Sequence, residues 1–273
     1  MKTIRNLVEV LTKKASSSSE DLGANIPKVF FCHVPKCAGS ALSGMIQRQI
    51  YADRRVATFS INLEASQKAS QVCSMPMARV REIVLAYNLS VPHNYFGTGH
   101  VYCRPNLVES HRTEWDFVTI LRNPIDRWIS EYVYNTYKNL NWARNTLTID
   151  DYLSSAKGNL TGVSFLKYFS SIPGDYAGNV DEFVDEAVAN LAQFSVVGTV
   201  ENLENWCQTF KARFGKDASI PRTNTSPNIE ASERIRSDES LMRRIEVLCE
   251  PDLCIYQRMV DLTGKPGDLS PCR

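Results

Sequence analysis

Long hydrophobic runs are missing from this sequence of 273 residues. No apolar stretch reaches the ~20 residues that a transmembrane helix needs. The N-terminus carries charged residues but lacks the continuous apolar core of a secretory signal peptide. We therefore expect no membrane span and no signal peptide, and a protein that is either cytoplasmic or a soluble fragment.

An excess of charge of one sign is also missing. The chain has 31 Lys and Arg residues against 30 Asp and Glu residues, which gives a formal net charge of +1. A protein that works on long polyanions is expected to present a basic face, because its partner carries many negative charges. The balanced charge therefore gives no indication of a long polyanionic acceptor, and we predict no nucleic-acid partner.

Paired cysteine motifs are the third absence. Eight cysteines are present, but none forms a CxxC pair and no histidine completes a zinc-ligand pattern. We predict no metal site and reduced thiols. A bridge between Cys249 and Cys254, or between Cys254 and Cys272, stays open for an oxidising compartment.

The order of the apolar segments predicts the fold class. Strand candidates followed by loops and helices recur near Val29, Phe117 and Val196, which predicts an α/β protein with a central parallel β-sheet flanked by helices. Residues 1–25 stand apart as an N-terminal extension or linker. Residues 26–273 are long enough for one domain with a full core.

The most informative segment spans residues 28–42. Its apolar, β-prone residues 29–34 end at Pro35, small residues form a short loop, and a helix is predicted from Leu42. This order of strand, loop and helix directs backbone N–H groups and a helix N-terminus at a phosphate, and Lys36 adds a cation. An ordinary strand-to-helix turn with small residues for close packing is the alternative.

That loop lacks the Walker A pattern, which requires Gly-Lys-Ser/Thr at its end. The lysine of this loop comes first, and Gly39-Ser40 is followed by Ala41 where the lysine should be. A site for magnesium and a β/γ-phosphate is therefore not predicted.

A second strand-to-helix junction lies within residues 115–134. Its strand ends at Arg122, Asn123 is a candidate N-cap, and Pro124 suits the first helical position. The predicted buried face of the helix holds Ile125, Trp128, Ile129 and Tyr132. Arg122 and Ser130 suit a phosphate monoester, since arginine supplies a bidentate fork. The alternative for Arg122 is a surface arginine that closes the strand. The alternative for Ser130 is a small residue packed against the sheet.

His100 lies between the two junctions, after a glycine-rich segment. Tyr95 and Phe96 are predicted to form a short strand, and Gly97 and Gly99 are expected to allow unusual backbone angles before the histidine. Histidine is the commonest acid–base residue, which makes His100 a candidate base. A structural or solvated histidine is the alternative.

Residues 33–42 and 119–132 together resemble the two nucleotide motifs of sulfotransferases that use 3′-phosphoadenosine 5′-phosphosulfate (PAPS). The motifs are most similar to those of the carbohydrate type, such as the heparan-sulfate 2-O- and 6-O-sulfotransferases. The resemblance implies a P-loop-like sulfotransferase fold, PAPS as sulfuryl donor, 3′-phosphoadenosine 5′-phosphate (PAP) as product, and no metal.

The resemblance also assigns roles by position. It gives the 5′-phosphosulfate to the first loop, which comprises Lys36, Cys37, Ala38, Gly39, Ser40 and Ala41. It assigns binding of the 3′-phosphate to Arg122 and Ser130. Because the Gly-His-Val segment at His100 is similar to the one that carries the general base in the 2-O type, His100 is expected to accept a proton from the acceptor hydroxyl. Lys36 is then expected to stabilise the leaving oxygen.

The loop departs from the family pattern at Cys37 and Ala41, where hydroxyl side chains are usual. A helix N-terminus and Lys36 would both lower the pKa of Cys37 and make its thiol reactive. The favoured interpretation is that Cys37 is simply a small residue at a position that requires a small side chain.

A third strand–helix unit is predicted at residues 194–214, with the helix ending at Gly215. The polar, proline-bounded loop that follows is typical of a surface connection. In the family a loop at this position folds over PAPS, which implies secondary cofactor contacts from Arg222, Thr223, Asn224 and Thr225.

These motifs predict in-line transfer of a sulfuryl group from PAPS to an acceptor hydroxyl. The subgroup favours a glycan acceptor, with a lipid or a small metabolite as alternatives, bound by residues 51–93 and 134–178. Two other functions stay open. One is a P-loop nucleoside-type kinase, and the other is a non-catalytic nucleotide-binding or interaction protein.

Overall fold

The computed structural model describes residues 26–52, 54–174, 176, 178–218 and 227–264. Several predictions concern residues outside these ranges: the extension at 1–25, Cys272, and the secondary cofactor candidates Arg222, Thr223, Asn224 and Thr225. Those predictions, and the assignment of one domain to residues 26–273, stay predictions.

In the part of the chain that the structure describes, four parallel strands form the central sheet. They are β1 (Lys28–Cys32), β2 (Ala57–Ile61), β3 (Asn94–Gly99) and β4 (Trp115–Val118), in the order β2-β3-β1-β4. A further segment extends the sheet beyond β4, because Val196 and Thr199 form parallel bridges with Val118 and Leu121. β4 is buried throughout and β1 after its first residue, as expected for parallel strands covered on both faces.

Helices occupy the connections and flank the sheet. Between the strands lie α1 (Gly39–Tyr51), α2 (Leu63–Cys73), α3 (Met77–Ser90) and α4 (Pro105–His111). The helices after β4 are α5 (Pro124–Tyr137), α6 (Ile149–Ser154), α7 (Ala156–Gly162), α8 (Ser164–Phe169), α9 (Asp181–Leu191), α10 (Leu203–Phe214), α11 (Ile229–Arg236) and α12 (Glu239–Thr263). The prediction of a central parallel sheet flanked by helices is confirmed.

Among the described residues, most buried apolar side chains fall into two clusters, of which the larger surrounds the sheet. The second cluster joins α5 to α6, α11 and α12, and it contains Trp128, Ile129, Tyr132 and Val133 of α5. The predicted buried face is therefore confirmed for Trp128, Ile129 and Tyr132, whereas Ile125 is only half-buried. α5 packs this face on other helices, which fixes the direction of its remaining faces.

The glycines of β3 do not adopt the unusual backbone angles expected of them. Among the described glycines, only Gly215 has a positive φ. A Cβ added at Gly97 would lie 2.2 Å from the Phe59 ring, and one at Gly99 would lie 2.7 Å from Cβ of Ile61. The expectation was wrong because close approach of β2, and not backbone conformation, requires glycine here.

The third strand–helix unit is shorter in its strand than predicted, since only the two bridges to Val118 and Leu121 form. Its helix, α10, ends at Gly215, whose left-handed φ of 65° and N–H bond to the carbonyl of Lys211 close the last turn. The predicted helix end is confirmed.

Candidate functional site

The loop that joins β1 to α1 spans residues 33–38. Lys36 and Ala38 have left-handed backbone angles, with φ of 67° and 55°. Such angles cost energy for a residue with a Cβ. Ala38 is also the N-cap of α1, and it offers no side-chain hydrogen bond to the helix. The start of α1 is therefore both strained and uncapped.

Five of the six backbone N–H groups at residues 36–41 donate to no acceptor among the described residues. They belong to Lys36, Ala38, Gly39, Ser40 and Ala41. Cys37 differs, because its N–H reaches the carbonyl oxygen of Val34 at 3.4 Å. α1 is 13 residues long, and free N–H groups at the N-terminus of such a helix can bind an anion.

Gly39 lies directly against the imidazole of His33. A Cβ at Gly39 would stand 1.9 Å from Cδ2 and 2.1 Å from Nε2 of that ring. The N–H of His33 donates to the carbonyl of Gly99 at 3.1 Å, which fixes the loop to β3. Burial, with smaller contributions from His100 and Lys36, lowers the pKa of His33 to about 3. His33 is therefore a neutral support beneath the start of α1.

Lys36 is held at both of its ends. Its carbonyl accepts a hydrogen bond from Nη1 of Arg122 at 3.3 Å. Its Nζ lies 3.7 Å from the centroid of the Tyr134 ring. Burial lowers the pKa of Lys36 to about 8, and the carboxylate of Glu131 opposes that shift. The fold thus brings together Lys36 and Arg122, which belong to different sequence motifs.

The second junction, between β4 and α5, satisfies its own backbone. Oδ1 of Asn123 accepts from the N–H groups of Ile125 at 3.1 Å and Asp126 at 3.3 Å. Pro124 occupies the first helical position. The N–H of Asn123 in turn donates to the Glu201 carboxylate at 2.9 Å. The predicted N-cap and proline are both confirmed.

Ser130 lies two turns into α5, away from the apolar face. Arg127, Glu131 and Tyr134 share its side of the helix at helical spacing. Arg127 is fully buried, and its Nη1 pairs with the Glu131 carboxylate at 2.9 Å. Because Tyr134 lies one turn beyond Ser130 and touches Lys36, Ser130 is on the side of α5 that faces the β1–α1 loop.

His100 is fixed in one tautomer by the backbone. Its Nδ1 lies 2.7 Å from the carbonyl oxygen of His33. A carbonyl only accepts, so Nδ1 must carry the proton and Nε2 must carry the lone pair. Burial lowers the pKa of His100, which keeps the ring neutral. The ring centroids of His33 and His100 lie 4.1 Å apart. Nη1 of Arg81 donates to the carbonyl of His100. No described residue hydrogen-bonds Nε2, which is therefore able to accept a proton.

The thiol of Cys37 is buried against the loop and donates to the carbonyl of Pro35 at 3.7 Å. Burial raises its pKa to about 12, and nearby Arg127 and Arg122 only partly oppose the shift. The expected lowering by the helix and Lys36 is absent, so Cys37 acts here as a small buried residue and not as a reactive thiol.

The sequence motifs assigned no role to Tyr134, Glu131 or Arg81. Tyr134 follows Ser130 by four residues and Glu131 follows Arg127 by four, so a search along this side of the helix could have found them. Arg81 comes from α3 and meets the carbonyl of His100 only through the fold. No local signal marked it.

The described residues contain no group of three or more His, Cys, Asp or Glu side chains placed to hold a metal ion. In the same part of the chain, no helix combines the length and apolar character required to cross a membrane.

Comparison with known proteins finds matches among solved structures. No family model and no curated sequence matches the chain. Among solved structures, the chain is similar to the crystal structure of mouse sulfotransferase SULT7A1 complexed with PAP, with 16% sequence identity over 94% of this chain and 91% of the mouse chain. The TM-score is 0.40. A similarity of this degree does not by itself assign a function.

Proposed function

We propose that this protein is a sulfotransferase that moves a sulfuryl group from PAPS to an acceptor hydroxyl. The observation that carries the proposal is the tautomer of His100. This neutral imidazole has Nδ1 bound to the carbonyl of His33 and Nε2 open. It lies beside a loop whose N–H groups are free to hold an anion.

The described residues fit a nucleotide that carries two separate phosphate positions. The free N–H groups of the β1–α1 loop and the ammonium of Lys36 suit a 5′-phosphosulfate. Arg122 and Ser130 suit a 3′-phosphate, since Arg122 supplies a planar fork and Ser130 a hydroxyl. When bound, PAPS supplies the sulfuryl group and a stable leaving group.

Each of these residues has one role in the proposed reaction. Nε2 of His100 accepts the proton of the acceptor hydroxyl, which makes that oxygen a better nucleophile. Lys36 and the loop N–H groups stabilise the negative charge that develops on the leaving oxygen. Fixed donors in a partly buried site are effective at this because they need no reorganisation during the reaction.

The proposed acceptor is a glycan hydroxyl, and a lipid or a small metabolite is the alternative. The basis for a glycan is the similarity of the motifs to the carbohydrate type. Residues 51–93 and 134–178 are proposed to form the acceptor pocket. β2, α2 and α3 occupy most of the first segment, and Arg81 of α3 reaches the carbonyl of His100.

One experiment separates the proposal from its rivals. The full chain is incubated with ³⁵S-labelled PAPS, and separately with γ-³²P-ATP, against panels of glycans, lipids and small hydroxyl compounds, with and without EDTA. PAP affinity is measured by calorimetry. Transfer from PAPS that is insensitive to EDTA, with tight PAP binding, supports the proposal. Transfer from ATP would identify a kinase, and PAP binding without transfer would identify a binding protein.

His100→Asn tests the base directly. The asparagine amide can still donate to the carbonyl of His33, but it cannot accept the proton. We expect kcat to fall by ~10²–10⁴-fold with PAP affinity kept. His93→Asn is the matched control, because His93 is exposed and has no role in the proposal. Full activity in His100→Asn would remove His100 from the mechanism.

A further inference from the structure

The aromatic ring beneath Lys36 lies just beyond the second nucleotide motif, residues 119–132. Tyr134 lies on α5 one turn beyond Ser130, and Nζ of Lys36 lies 3.7 Å from its ring centroid. That separation places the ammonium in direct contact with the ring face. A cation in this position is attracted by the negative face of the aromatic quadrupole.

The charge of Lys36 has no carboxylate partner within salt-bridge distance among the described residues. Glu131 is the nearby acid, but its carboxylate pairs with Arg127 at 2.9 Å. A salt bridge would place a negative charge beside the ammonium and compete with an anionic ligand. An aromatic ring attracts the ammonium without adding a net negative charge.

The other contacts of Lys36 fix its backbone but not its side chain. Its φ is 67°, and its carbonyl is held by Arg122 at 3.3 Å. The four-carbon stem of a lysine is flexible, so the direction of the ammonium depends on what the stem and Nζ touch. Lys138 also approaches the ring, at 5.4 Å, but its Nζ donates to Oδ1 of Asn135 at 2.8 Å.

We propose that Tyr134 is a positioning residue that holds the ammonium of Lys36 in place through the face of its ring and leaves the charge available to an anion. This inference rests on the proposed function, in which Lys36 stabilises the leaving oxygen. It also couples the two nucleotide motifs, because α5 carries both Tyr134 and Ser130.

A first test needs no nucleotide. Reductive methylation with ¹³C-formaldehyde converts each lysine to a dimethylamine that stays cationic and is visible by NMR. Lys36→Arg identifies the Lys36 signal, which the ring current of Tyr134 should move upfield. Tyr134→Phe should keep that shift, and Tyr134→Leu should abolish it. Tyr137→Leu is the matched control, because Tyr137 lies on the same helix and is 45% exposed. A Lys36 signal unmoved by Tyr134→Leu would overturn the proposal.

A second test measures transfer. Tyr134→Leu should lower kcat by ~10-fold with KM for PAPS nearly unchanged, and Tyr134→Phe should restore most of the rate. Replacing Tyr134 by 3,4,5-trifluorophenylalanine keeps the shape and weakens the negative ring face. It should therefore lower kcat even if Tyr134→Leu does not fold. If the trifluorophenylalanine variant had the same kcat as Tyr134→Phe, the proposal would be overturned. Failure of the wild type to use PAPS would instead refute the proposed function. The NMR result would still report whether the Tyr134 ring holds the ammonium of Lys36, because that test uses no nucleotide.

Discussion

The two strand-to-helix junctions of the candidate site are built in opposite ways. At the β4–α5 junction, Asn123 caps the helix, Pro124 takes the first helical position, and Glu201 accepts the N–H of Asn123. At the β1–α1 junction, Ala38 offers no cap, and both Lys36 and Ala38 hold left-handed angles. One junction satisfies its own backbone, whereas the other stores strain and leaves donors free.

Under the proposed function, the capping groups of the β4–α5 junction contribute stability, and the free N–H groups of the β1–α1 junction bind the ligand. A side-chain cap typically contributes ~1 kcal/mol to stability, and it places Arg122 beside a firmly held helix start. An uncapped start gives up that contribution, and its donors are satisfied only by solvent or by an anion. Changes to the capping residues of β4–α5 should therefore alter mainly stability, and changes to the backbone of β1–α1 should also alter ligand binding.

The largest effect is expected from Gly39→Ala, at the β1–α1 junction. The new methyl group would lie 1.9 Å from the ring of His33, so the ring or the helix must move. We expect the free energy of unfolding to fall by ~1–3 kcal/mol and PAP binding to weaken. Urea denaturation and calorimetry measure the two effects.

Gly44→Ala, in the same helix, is the matched control. Its Cβ would meet only the flexible end of Arg48, at 3.2 Å. A glycine in a helix interior is destabilising relative to alanine, so this change should raise stability by ~0.5–1 kcal/mol. An unchanged PAP affinity in Gly39→Ala would contradict the assignment of ligand binding to the β1–α1 junction.

His33 should give the β1–α1 junction a pH dependence that β4–α5 lacks. Burial lowers its pKa from 6.5 to about 3. The unfolded chain therefore binds a proton at a higher pH than the folded chain does. The stabilisation is complete above about pH 6.5 and is lost as the pH falls toward about 3.

Between about pH 7 and about pH 5, this linkage should lower the free energy of unfolding by ~2 kcal/mol. Urea denaturation at the two pH values measures the difference. His33→Gln should reduce it, whereas His93→Gln should not, because His93 is exposed. If His33→Gln keeps the full pH dependence, protonation of another group causes the loss of stability.

Features that depend on neighbouring residues in the sequence could be predicted. The cap at Asn123, the proline at 124 and the helix end at Gly215 follow from local backbone rules, and all three are found. The parallel sheet follows from the repeated order of strand, loop and helix.

Contacts that cross between elements could not be predicted in the same way. Lys36 meets Tyr134, and His100 meets the carbonyl of His33, because the register of the parallel strands brings distant segments together. The same register explains why Gly97 was misinterpreted. Its neighbour on β2, Phe59, leaves no room for a Cβ, and no local pattern reports that closeness.

A smaller effect is expected from Asn123→Ala, at the β4–α5 junction. Loss of the cap should lower the free energy of unfolding by ~1 kcal/mol, with little change in PAP affinity. Asn228→Ala is the matched control, because Asn228 caps α11 through the N–H of Ala231 at 2.9 Å. The two variants should lose similar stability in urea denaturation. If Asn123→Ala weakened PAP binding as much as Gly39→Ala does, the two junctions would not differ as described.

The smallest effect is expected from Ala38→Gly, and its sign carries the information. Glycine adopts a left-handed φ without the cost that alanine incurs, but it loses more entropy on folding. The two terms nearly cancel, so stability should stay level or rise by less than ~1 kcal/mol. Ala41→Gly, inside the first turn of α1, should instead lower stability by ~0.5–1 kcal/mol. Urea denaturation of both variants shows whether the signs differ. Equal losses would mean that the left-handed angle at Ala38 stores no strain, and the β1–α1 junction would then owe its character to the free N–H groups alone.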